Sequence, residues 1–159
     1  MFNKFIKIME NKFVPLASKL GSQRHLLAIR DAFISIMPLA IIGSLAILVN
    51  NFPVVYYQEY MASIFGAEWT SFSNYIYSGT FAIISLLIVF SISYNLADSY
   101  EKDPLLAALI SFSAFIITII QSDIQGFYIP FQWLDASGLL VAVVVAIFTT
   151  EIYVKMMNL

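Results

Sequence analysis

The 159-residue sequence has no cysteine and one histidine, and only 11% of it is Asp, Glu, Lys or Arg. Without cysteine there are no disulfides, no thiolate nucleophile and no cysteine metal site. A lone histidine, His25, rules out a histidine-rich metal cluster and a pair of imidazoles for acid and base work. Charge is missing from a particular place as well: no Asp, Glu, Lys, Arg or His lies near the middle of any long apolar run. Ion and proton relays inside a bilayer ordinarily use such a group. Coupled transport through an internal carboxylate and intramembrane hydrolysis are therefore unsupported by these residues. There is also no glycine-rich phosphate loop.

What is present is apolar. Hydrophobic residues make up 60% of the sequence and mean hydropathy is +0.85, far from ordinary globular usage. The expected fold is an all-α integral membrane protein, with an amphipathic interfacial helix followed by about four transmembrane helices. Residues 1–21 form the first segment: Phe2, Phe5, Ile6, Met9 and Phe13 recur at helical spacing, opposite Lys4, Lys7, Asn11 and Lys12. That pattern fits a helix lying on anionic lipid better than one binding nucleic acid. It also lacks the apolar run and cleavage site of a signal peptide. Residues 22–159 form the bundle, with spans expected at about 32–52, 75–97, 105–122 and 138–154.

The stretch from Gly21 to Asn50 joins these two parts. As one helix starting after a Ser22 cap, residues 23–50 would run roughly 42 Å at about 1.5 Å per residue, longer than the hydrocarbon core. Its polar end, Arg24, His25, Arg30 and Asp31, suits the headgroup layer, and these four are the expected interfacial anchors. Further along, Pro38 is followed five residues on by Gly43 and Ser44. A proline frees a backbone carbonyl that a neighbouring helix, a hydroxyl or water must satisfy, so a hinge or a fixed kink is expected here.

Two connections, roughly 53–74 and 123–137, carry aromatics and acids but no basic residue, the composition of an interfacial belt. The short loop from Asp98 to Pro104 implies an antiparallel helix pair, with Pro104 suited to a helix start. In the last span Gly138, Ala142, Ala146 and Thr150 recur every four residues, a small-residue stripe of the kind that lets helix backbones approach, within one subunit or between two. Glu151 and Lys155 then stand four residues apart near the end of that helix. Six of the eight Lys and Arg residues fall in the first thirty positions. With four spans, all eight lie on one side together with both termini, and the positive-inside rule makes that side cytoplasmic.

The phrase QRHLLAIRDAFISIMPLAIIGS resembles the start of the IIC membrane component of the bacterial sugar phosphotransferase system, in its lactose, cellobiose and chitobiose family. The resemblance continues through KFVPLASKLGSQRHL, NLADSYEKDPLLAALISFSAFI and ASGLLVAVVVAIFTTEIYVKM. It covers nearly the whole chain and corresponds to only the N-terminal part of such a subunit. The resemblance implies a multi-pass permease of the bacterial cell membrane, working with IIB and IIA subunits and taking up a β-linked disaccharide such as cellobiose, lactose or chitobiose. It is itself no enzyme, since phosphotransfer belongs to IIB, and it needs no cofactor. In the family the sugar pocket lies in the C-terminal half, so no substrate-binding or catalytic residue is carried over here. The expected role of this portion is scaffold and homodimerisation. The competing reading is a structural membrane protein that associates subunits and transports nothing; a membrane enzyme ranks third, with no acid, base or metal cluster to run it.

Overall fold

The structure is a computed structural model and describes residues 23–54, 56–124 and 126–158. The expected interfacial segment, 1–21, and the Ser22 cap lie outside the described residues. The described residues form six α-helices in order: α1 (Arg24–Asn50), α2 (Tyr57–Phe65), α3 (Thr70–Ser78), α4 (Ile84–Ser99), α5 (Pro104–Ile119) and α6 (Leu139–Met156). A two-stranded antiparallel hairpin, β1 (Gln121–Asp123) and β2 (Gly126–Tyr128), links α5 to α6, pairing Gln121 with Tyr128 and Asp123 with Gly126. Among the described residues three helical stretches are long and apolar enough to cross a membrane: Arg24–Asn50, Thr70–Ser99 and Ala136–Met156. Pro104–Ile119 is apolar but shorter, about 24 Å at 1.5 Å per residue.

The core sits around α4, which packs against α1, α5 and α6. Ile88, Val89, Ile92 and Leu96 are all fully buried. The first three meet Phe115 and Ile119 of α5, Ala32 and Ile36 of α1, and Ala142 and Ala146 of α6 in one apolar cluster. A helix apolar on all sides belongs inside a bundle.

Local chemistry sets the ends of the elements. Asp103 caps α5, its Oδ1 accepting from Leu105 N at 3.0 Å and Leu106 N at 3.1 Å, while Pro104 fills the first helical position, where its missing donor costs nothing. At the other side of that turn Glu101 takes a left-handed conformation (φ 56°). Lys102 N then reaches back to Ala97 O at 3.1 Å, closing α4 in a Schellman-type cap.

Three features differ from the sequence expectation. First, the stretch expected as one span over 75–97 is helical from Thr70 to Ser99 but interrupted. α3 stops at Ser78, a short 3₁₀ turn covers Phe81–Ile83, and α4 begins at Ile84. The Thr80 hydroxyl bonds the Ile76 carbonyl at 2.6 Å, and the Thr80 backbone is non-helical (φ −128°, ψ −84°), so the ladder ends there. Second, the aromatic connection after α1 contains α2, a helix with no buried residue, ended by Gly66 at φ +86°. Third, α5 ends at Ile119, where the hairpin takes over residues the expected span assigned to helix.

Candidate functional site

Two places gather polar side chains from separate helices, one at each end of the bundle, and two tight backbone contacts lie between them.

At the first end, the start of α1, the turn after α4 and the end of α6 meet. His25 Nε2 lies 2.8 Å from Glu151 Oε1, and the Tyr100 hydroxyl donates to the same oxygen at 2.6 Å. The Arg24 guanidinium carbon stands 4.8 Å from the centre of the Tyr100 ring, a cation–π contact. The hydrogen bond to Glu151, helped by partial burial, raises the Tyr100 phenol above its ordinary pKa. Beneath this cluster Tyr100 covers Ala97, Ala107, Tyr153 and Val154. The Tyr153 hydroxyl and Thr150 Oγ1 are buried there without a hydrogen-bond partner among the described residues. Arg30 and Asp31 pair with each other at 2.7 Å, both well exposed, and do not join the cluster.

At the other end, Asn50 closes α1 and donates from Nδ2 to Asn74 Oδ1 at 2.8 Å and to Thr70 O at 3.2 Å, tying α1 to α3. The Gln58 amide donates to the Asn50 carbonyl at 2.6 Å. Phe52, Tyr57 and Trp69 pack beside it, with ring centres 5.2 and 5.7 Å apart in turn.

The expected hinge or packing residues fall into two groups. Helix α1 runs unbroken through Pro38, which is exposed, and the Ser44 hydroxyl bonds the Ala40 carbonyl at 2.7 Å on the exposed side. Gly43 faces the other way, against the interruption between α3 and α4. A Cβ there would sit 2.5 Å from Thr80 Oγ1 and 2.8 Å from Phe81 Cβ. The stripe Gly138, Ala142, Ala146 and Thr150 is buried throughout. It lies along Ser85, Val89, Ser93 and Ala97 of α4, which repeat with the same four-residue step: Ser93 Oγ reaches the Ala146 carbonyl at 3.5 Å, and Ser85 Oγ bonds the Asp135 carbonyl just before Gly138. A Cβ on Gly138 would collide with the Trp133 carbonyl and stand 3.1 Å from Ser85 Oγ. Matched ladders of small residues bring α4 and α6 together in parallel, and their backbone carbonyls serve as acceptors for the α4 serines.

Sequence reasoning named His25 without its partner, and missed Tyr100, Asn50 and Asn74. Glu151 was visible only as a neighbour of Lys155. Among the described residues no group of three or more His, Cys, Asp and Glu gathers. The interior serines Ser85 and Ser93 bond backbone carbonyls and Ser111 pairs with Thr149, while the Thr150 and Tyr153 hydroxyls are the exceptions already named. The surface grooves along α1 are lined by apolar side chains such as Ile42, Leu45, Val49 and Ile76. No convergent set of free polar groups for a sugar exists among the described residues.

Comparison with known proteins bears on what this geometry belongs to. Residues 30–159 match the family described as phosphotransferase system, EIIC. The putative permease IIC component YwbA of Bacillus subtilis (strain 168) is 39% identical over 160 residues, covering 94% of this chain and 36% of that protein. The cellobiose-specific EIIC component of Geobacillus stearothermophilus is 39% identical over 171 residues, covering 98% of this chain and 37% of that protein. Among solved structures, the transporter ChbC, the IIC component from the N,N'-diacetylchitobiose-specific phosphotransferase system, superposes with a TM-score of 0.81 at 36% identity. That match covers 92% of this chain and 36% of ChbC. The chain thus spans little more than a third of the length of the relatives it matches.

Proposed function

The chain belongs to the EIIC family of the sugar phosphotransferase system, and on that premise we propose that it forms the N-terminal scaffold of a permease for a β-linked disaccharide of the cellobiose, lactose or chitobiose type. The observation that carries this reading is family likeness along nearly the whole chain, beside interior serines that bond backbone carbonyls or a neighbouring hydroxyl. A substrate site needs several polar groups converging on a cavity. In this reading sugar contact belongs to residues outside 1–159, and phosphotransfer to a IIB subunit supplied with phosphate by IIA.

The bundle end with Arg24, Arg30, Lys102 and Lys155 is the cytoplasmic one in this proposal, with Arg30 and Asp31 at the headgroups. The subunit is a homodimer of the bacterial cell membrane. Its self-association uses a face other than the Gly138 to Thr150 stripe, because that stripe already packs against α4. A structural membrane protein unrelated to transport is not favoured by the similarity. Uptake tests the scaffold reading: cells expressing residues 1–159 alone are expected to accumulate no phosphorylated cellobiose above background. Clear accumulation would sink it.

A further inference from the structure

We propose that His25, Glu151 and Tyr100 form a proton-sensitive clasp that holds the start of α1 to the end of α6. Helix α1 packs chiefly on α3 and α4, and α6 on α4 and α5, so α4 stands between α1 and α6. The imidazole and the carboxylate reach each other past the end of α4, across 126 positions of sequence. One oxygen, Glu151 Oε1, accepts from both His25 and Tyr100 and so joins three elements at a single atom.

The two ends of this bond differ in what protons do to them. The Tyr100 phenol, pushed upward by Glu151, stays protonated through the range in which imidazole changes charge and donates throughout. A protonated His25 ring must donate from Nε2 and adds an ion pair. A neutral ring donates from Nε2 in only one of its two tautomers, and the ion pair is gone. His25 and Glu151 side chains keep 41% and 29% of their exposure, so protons reach them from water. The charged groups facing the pair are Arg24 from α1, above Tyr100, and Lys155 from α6. The turn after α4 supplies the neutral phenol, and α5 supplies apolar Ala107 below it. The clasp closes on acidification, when the ion pair forms, and loosens as His25 loses its proton. This inference rests on the side-chain geometry and holds whether or not the chain takes part in sugar uptake.

The absence of native cysteine makes the test direct. Spin labels at Leu26→Cys and Met156→Cys, both exposed positions flanking the cluster, report the distance between the two helix ends in the full chain, reconstituted in vesicles. Measurements at about pH 5 and about pH 8 bracket the imidazole range. The expected result is one narrow distance at the lower pH and a longer, broader population at the higher. That population should rise by up to about fivefold, the scale of a half-exposed ion pair. In His25→Gln, which keeps a donor without a titrating charge, and separately in Glu151→Gln, the distribution is expected to be the same at both pH values. Identical distributions at both pH values in the labelled parent overturn the clasp. So does a pH response that survives His25→Gln or Glu151→Gln.

Discussion

Helices α1 and α4 are almost equally apolar, yet they occupy opposite environments. At about 100° per residue, the buried positions of α1, Ala28, Ala32, Ile36, Gly43 and Ala46, fall within an arc of roughly 80°. In α4 the buried positions come in adjacent pairs, Ile84 with Ser85, Ile88 with Val89, Ile92 with Ser93 and Leu96 with Ala97, spanning roughly 220°. Hydropathy marks both for the membrane and does not distinguish them. Residue size does. Where α1 touches protein it is nearly all Ala and Gly, and its large side chains, Phe33, Met37, Ile41, Leu45 and Leu48 among them, point outward. In lipid a large apolar side chain gains little by leaving the bilayer, so close contact concentrates where side chains are small.

Breaking the packed side of this comparison produces the largest effects. Gly138→Val drives a side chain into the Trp133 carbonyl and Ser85, and is expected to destabilise the bundle by about 3 kcal/mol or more in reversible unfolding from detergent micelles. Ala146→Leu, at a fully buried position facing Ser93, should cost about 1–3 kcal/mol by the same assay. Ile41→Ala, on the outer face of α1, should shift stability by no more than about 0.5 kcal/mol. A loss in Ile41→Ala comparable to those in Gly138→Val and Ala146→Leu would erase the distinction.

Smaller changes at the turn between α4 and α5 sharpen it, because they alter how firmly α4 is held without touching its packed face. Asp103→Ala removes the acceptor for two backbone donors and is expected to lower stability by about 1 kcal/mol. Glu101→Gly relieves a left-handed residue at φ 56°, and a gain of about 0.5 kcal/mol should appear as a raised thermal midpoint.

Much of the scaffold is legible in the sequence because it depends on local order. The Asp103–Pro104 helix start, the four-residue step of Gly138, Ala142, Ala146 and Thr150, and the polar entry to α1 are each visible within a few turns of chain. What is not legible depends on how helices are rotated and raised relative to one another. The interruption at Thr80 follows from a hydroxyl taking the Ile76 carbonyl and from Gly43 pressing on the same place, a contact between residues 37 positions apart. Hairpin 121–128 is too short to leave a periodicity, and its Gly126, at φ +123°, is the one local mark of it. His25 reads as a lone surface imidazole, because nothing in the order of residues says that the ends of α1 and α6 arrive side by side.

The claim that α4 is the protein-packed centre while α1 turns its large side chains outward is tested most directly by single nitroxide labels in vesicles, read by their collision with molecular oxygen dissolved in the hydrocarbon layer. The sequence lacks cysteine, so each cysteine substitution carries its label alone. Labels at Val89→Cys and Ile92→Cys are expected to meet little oxygen, while those at Phe33→Cys, Ile41→Cys and Leu48→Cys, spread over the outer half of α1, meet it freely. Oxygen access at Val89→Cys and Ile92→Cys as great as at the α1 positions would contradict the packing described here.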